Sequence, residues 1–138
     1  MRLNKLFEPG RIGKLELKNR IVMSPMGSNS YPDGFVTDRA VNHFAERARG
    51  GVGLIIAQSS QATRLGRAPG RAALWDDKFI PGLARIADAV HKNDGKIAWQ
   101  TNYHGKLLLQ WLDEIPEGVG NSAGSALVST AHGRRTIC

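Results

Sequence analysis

The sequence predicts an α/β protein built on a parallel sheet, and three observations carry that reading. Three short apolar runs, "RIVMS", "VGLIIAQ" and "KIAWQ", are separated by two amphipathic runs of helical period. Glycine closes each helical run, at Gly50-Gly51 and at Gly95, as helix C-termini favour. The order strand, helix, strand, helix, strand is the one in which crossover helices cover a parallel sheet.

Taken in order, "RIGKLELKN" alternates Ile12, Leu15 and Leu17 with Lys14, Glu16 and Lys18 around a glycine, which predicts a short hairpin. A strand from about Arg20 to Ser24 follows, stopped by Pro25. "SNSYPDG" is dense in turn formers and reads as a loop. Thr37 is positioned to cap the first helix, Asp38 lies in its first turn, and Val41, Phe44, Ala45 and Ala48 share one face. "VGLIIAQ" is apolar throughout, as in a strand covered on both faces. "SSQATRLGRAPGRAALWDD" is expected to be a long polar loop, a length often kept for function. Ile80, Leu83, Ala87 and Val90 then recur at helical spacing, with Pro81 tolerated in the first turn. "KIAWQ" closes the series as a third strand.

Composition excludes several classes. No apolar run approaches the ~20 residues of a membrane span, and "MRLNKLFEPG" has no apolar leader segment. Cys138 is the only cysteine, so a disulfide framework and a cysteine-rich metal site are excluded; a reducing cytoplasm is the expected location. The net charge of +7 comes from 19 Lys and Arg against 12 Asp and Glu, spread from Arg2 to Arg135 without a basic tract. That distribution predicts a solvated surface with some attraction for phosphate-bearing ligands, and no nucleic-acid partner. His43 and His91 fall on helices and are expected to be solvated; Trp75 and Trp99 are expected in packing roles.

All three strands end in unusual chemistry: "SPMGSN", "QSSQ" and "QTNYHGK". Ligands of parallel α/β sheets gather beyond the carboxyl ends of the strands. Three adjacent ends loaded with small and polar groups therefore predict one shared pocket.

"LFEPGRIGKLELKNRIVMSPMGS", "DGFVTDRAVNHFAERARGGVGLII" and "LWDDKFIPGLARIADAVHKNDGKIAWQ" together resemble the N-terminal part of the Old Yellow Enzyme family. The resemblance is nearest to the NADH:flavin oxidoreductase and enoate or dienoyl-CoA reductase branch, runs from about Leu6 to Gln100, and continues weakly to about Gly118. It implies an FMN-binding (β/α)8 TIM barrel whose opening hairpin covers the barrel bottom. It further implies NADH or NADPH as hydride donor and an electron-poor alkene or enoate as substrate. Ser24, Pro25, Met26 and Gly27 would lay their backbone against the flavin, and Ser59 would stand beside it. Gln100 would read the pyrimidine edge, since a carboxamide offers one donor and one acceptor. Gly27 stands where many relatives carry Cys or Thr, and Gln58 where Glu is common. Tyr103 and Lys106 replace the His and Arg usual after Gln100, with His104 one place off; Lys cannot repeat a bidentate Arg contact.

A barrel of this kind typically needs about 250 residues. The expectation is thus an incomplete barrel over residues 1–118 with a tail of unassigned structure over 119–138, lacking a clear strand. The tail reads as an artificially ended or frameshifted frame. The catalytic acid is not assigned. A chain with open edges is expected to self-associate, and a non-catalytic partial barrel acting as an interaction or assembly module is the alternative reading.

Overall fold

The computed structural model describes residues 4–64, 68–103 and 124–129. Helix α1 (Asn4–Phe7), one turn long and not anticipated, precedes strands β1 (Gly10–Ile12) and β2 (Leu15–Leu17). The two strands pair antiparallel with Ile12 opposite Leu15. Gly13 turns the hairpin at φ +57°, a left-handed conformation that glycine adopts without a Cβ penalty.

Strands β3 (Val22–Met23), β4 (Leu54–Gln61) and β5 (Lys96–Tyr103) form the parallel sheet, and β6 (Gly124–Ser129) adds to β5. Val22 lies opposite Leu54, and Leu54 opposite Lys96. β3 is shorter than the sequence suggests. β4 and β5 are longer, so Ser59, Ser60 and Gln61 belong to a strand rather than to the loop expected from Ser59 onward.

The tail held a further difference. Residues 124–129 pair antiparallel with β5, Leu127 opposite Gln100, where no strand was read. "GSALVS" has a single β-branched residue, Val128, so propensity gave little signal; pairing with an open edge decides the conformation.

Two helices cover one face of the sheet. α2 (Asp38–Arg49) starts at Thr37, whose hydroxyl accepts from Ala40 N at 3.3 Å. Asp38 in its first turn and Arg47 and Arg49 in its last complement the helix dipole. α3 (Ile80–His91) follows a single 3-10 turn over 77–79 and carries Pro81 in its first turn. Arg85 of α3 forms an ion pair with Asp38 of α2. Between helices and sheet lies the core: Phe44, Ile55, Ile86, Val90, Ile97 and Trp99 are all buried. Strand alternation turns Ile56, Ala98 and Gln100 to the other face, where they are half-buried.

His43 is not the solvated group expected. It is half-buried, its ring edge-on to Phe44 at 5.1 Å. Burial, then the positive charges of Arg47 and Arg39, hold its pKa below 6.5.

The amino end of the sheet is fixed by Asn19 and Gly53. Asn19 Nδ2 donates to Gly51 O at 2.7 Å, and its Oδ1 accepts from Ile21 N at 3.1 Å. Gly53 N donates to Ile21 O at 3.1 Å while Gly53 O accepts from Lys96 N at 2.9 Å. A Cβ on Gly53 would meet Asn19 Oδ1 at 2.5 Å.

Candidate functional site

Strand β4 changes character halfway. Ala57 lies opposite Trp99 and Ser60 opposite Thr101, so Gln58 and Ser59 together face the single residue Gln100. This is a β-bulge, a device that re-aims side chains at the end of regular pairing. The Ser59 hydroxyl is buried without a hydrogen-bond partner. Gln100 is half-buried, and none of the side-chain hydrogen bonds among the described residues involves its carboxamide.

Gln58 is 1% exposed and fully engaged. Its Oε1 accepts from Ser28 N at 2.6 Å and from Ser28 Oγ at 3.2 Å, and its Nε2 donates to Gly70 O at 3.4 Å. A carboxamide makes both kinds of contact with no charge. A glutamate at this place would accept from Ser28 but could not donate to Gly70 while ionised. One side chain thus ties the loop after β3 and the loop after β4 to the bulge.

The loop after β3 presents its first residues outward. Ser24, Met26 and Gly27 are exposed, Met26 at 66%, and Pro25 is half-buried. It then turns inward through bonds from Ser30 Oγ to Ser28 O at 3.1 Å and from Thr37 Oγ1 to Ser30 O at 2.8 Å. Tyr31 is fully buried, its hydroxyl has no partner, and burial pushes its pKa up from 10.0.

The loop after β4 doubles back along the strand. Gln61 N donates to Ala72 O at 2.9 Å, Leu74 N donates to Gln61 O at 2.9 Å, and the Gln61 side chain donates to Ala68 O. Between the two loops lies a cavity of about 500 Å3, lined by Tyr31, Asp33, Gln61, Gly70 and Trp75 among others. Trp75 packs edge-on to Phe79 at 5.2 Å, while Trp99 is a core residue.

The structure therefore joins Ser59 and Gln100 at one bulge and ties the Ser24–Gly27 segment to that bulge through Ser28. Tyr103 ends strand β5 rather than standing in a loop; His104, Lys106 and Cys138 lie outside the described residues. Among the described residues no cluster of His, Cys, Asp or Glu could hold a metal ion, and no helix is long and apolar enough to cross a membrane. Sequence reasoning missed Arg71 and the role of Gln61. "QSSQ" marked Gln61 only as part of a polar strand end, and its bond to Ala68 O and the placement of Arg71 both depend on how the loop after β4 packs.

A hydroxyl without a partner, a carboxamide with none among the described residues and an open backbone suit a planar ring edged with N–H and carbonyl groups. Comparison with known proteins gives this arrangement a context. Residues 5–135 match the model of the NADH:flavin oxidoreductase / NADH oxidase family. A metal reductase from Desulforamulus reducens is 46% identical over 101 residues, which cover 73% of this chain and 15% of that protein. An NADH oxidase from Thermoanaerobacter brockii is 41% identical over 117 residues, 83% of this chain and 18% of that one. Among solved structures, Old Yellow Enzyme from Pichia sp. AKU4542 superposes with a TM-score of 0.68 at 28% identity, covering 78% of this chain and 30% of that one. The chain thus spans under a fifth of the length of these two curated relatives, and its sheet and helices correspond to the opening part of a (β/α)8 barrel that is not closed here.

Proposed function

This chain belongs to the NADH:flavin oxidoreductase / NADH oxidase family, and from that premise we propose that it supplies the first three strand ends of an FMN site. The observation that carries the reading is the bulge, which puts Ser59, its hydroxyl unpartnered, opposite Gln100 on the adjacent strand. Gln100 would hold the ring's polar edge, Ser59 would stand beside it, and the backbone of Ser24, Pro25, Met26 and Gly27 would line its plane. FMN, when bound, supplies the hydride relay between NADH or NADPH and an electron-poor alkene. The residues of this chain bind and orient; no group among them is assigned as the proton donor. The whole activity is an ene-reductase-like reduction in the cytoplasm, acting on a small molecule rather than on nucleic acid or membrane.

A second reading rests on the other end of the sheet. The hairpin and β3 enclose a groove of about 890 Å3. Ile12 and Val22, which line it, are 55% and 44% exposed. Strand edges and apolar surface of this kind invite association. The partial barrel would then act as an assembly module that pairs with further barrel strands or with a second copy.

The test is to express residues 1–138 with excess FMN, desalt, and record flavin absorbance and sedimentation. Weak flavin retention in a self-associated species is expected. Gln100→Ala should weaken FMN binding by about 1–3 kcal/mol, because ring polar groups lose their partner. An unchanged dissociation constant would remove Gln100 from the site.

A further inference from the structure

The two loops at the strand ends exchange glycine contacts. A Cβ on Gly70 would meet Asn29 Cα at 2.9 Å. A Cβ on Gly27 would land on the guanidinium of Arg71, 3.0 Å from Cζ and 3.1 Å from Nη2, with Nη1 nearest of all. Glycine at 27 therefore does more than allow close approach: it makes room for a flat cation lying on the backbone. The placement is held from beneath, since Gln58 binds Ser28 and Gly70, the neighbours of Gly27 and Arg71.

Arg71 is half-buried. The carboxylates of Glu8, Glu46, Asp76 and Asp38 are paired with Arg20, Arg49, Lys78 and Arg85 respectively, and no ion pair among the described residues includes Arg71. A guanidinium has five N–H donors, and removing it from water without an anion is unfavourable. Such a group is stabilised by a ligand that brings negative charge to it.

We propose that Arg71 is a flavin-contacting residue that selects the reduced, anionic form of FMN over the oxidised form. The inference rests on the reading that the Ser24–Gly27 backbone lines the flavin. The oxidised ring is neutral, whereas the ring that has accepted two electrons carries negative charge at neutral pH. A fixed cation over Gly27 binds the second form better, and by linkage raises the potential of the bound flavin.

The 138-residue chain is titrated with oxidised FMN and, anaerobically, with dithionite-reduced FMN, and the ratio of the two dissociation constants is compared across variants. Arg71→Met should lower the preference for reduced FMN by about tenfold, the worth of one charge-assisted hydrogen bond, and leave oxidised binding nearly unchanged. Arg71→Lys should keep part of the preference, since the charge remains but the planar fork is lost. Gly27→Ala should lose the preference with Arg71 still present, because the methyl group evicts the guanidinium; circular dichroism checks that each variant is folded. An unchanged ratio in both Arg71→Met and Gly27→Ala overturns the role of Arg71 and leaves the flavin site standing. Equal weakening of both forms also overturns it, making Arg71 a general binding residue. A chain that binds neither form overturns the flavin reading and this inference with it.

Discussion

The two halves of strand β4 are made of different material. Leu54 to Ala57 are apolar and evenly paired on β5, and Ile55 and Ala57 are sealed beneath the helices. Gln58 to Gln61 are polar and start at a bulge, and the two glutamines send their side-chain hydrogen bonds to loops instead of into a core. Gln58, Ser60 and Gln61 are nevertheless as buried as the first half, at 1%, 0% and 2% exposure. Burial alone does not separate core from site here. What separates them is where the polar atoms of the buried residues are satisfied: Ser60 Oγ bonds to Gln58 O at 2.9 Å and the two glutamines bond to loops, while Ser59 is left without a partner.

The largest effect is expected from breaking the sealed half. Phe44, 2% exposed and ring-to-ring with Trp99 at 6.4 Å, fills the space between α2 and the sheet. Phe44→Ala should cost about 3–5 kcal/mol through lost burial and a residual cavity, read as a lower denaturant midpoint. A loss below 1 kcal/mol would mean that the helices are not firmly packed on the sheet, and the contrast would fail. Breaking the polar half should cost less and act elsewhere. Gln58→Ala leaves Ser28 N–H without its acceptor, about 1–3 kcal/mol, and releases the loop carrying Ser24–Gly27. Proteolysis should then cut between β3 and α2 before the core opens. Uniform resistance along the chain would show the tie to be dispensable.

The smallest expected effect is the dependence on pH of the helical side. His43 has a folded pKa below 6.5, so the unfolded chain takes up its proton first as pH falls. Stability is lost as pH falls through the unfolded value, and the loss levels off below the folded one. Thermal melts of the native chain and His43→Gln at about pH 7.5 and about pH 5.5 measure this. Acidification should lower the melting temperature of the native chain more than that of the variant.

Legibility in the sequence follows the same division. The sealed half was readable because apolar periodicity is a local signal: Phe44, Val90 and Trp99 fall where the helical and strand periods place them. The strand ends were readable as positions, so "SPMGSN", "QSSQ" and "QTNYHGK" were read as neighbours, and within them the family resemblance singled out Ser59, Gln100 and the Ser24–Gly27 turn. Their connections were not, since the Gln58–Ser28 bond spans 30 residues and the placement of Arg71 depends on an absent side chain at Gly27. The ends of β4 and β5 were set too early because Gln58 and Gln100 looked like exits to solvent. A bulge lets pairing continue beyond them, and it leaves no mark in composition.

Asn19 and Gly53 give the opposite end of the sheet a property of its own, an intolerance of any change in length. One carboxamide spans from Gly51 O to Ile21 N, and one glycine joins Ile21 to Lys96. Each bond measures the chain between its ends, so a single residue inserted within 50–53 would shift β4 against both neighbours at once. Because side chains alternate along a strand, that shift would send Ile55 and Ala57 away from the helices and Ile56 toward them. The same insertion after Ala62, in the exposed stretch to Arg64, would follow the end of β4 and leave its register on both neighbours unchanged. Variation in length among related chains is therefore expected at the carboxyl ends of the strands, where it reshapes the pocket, and not at the amino ends, where it would scramble the sheet.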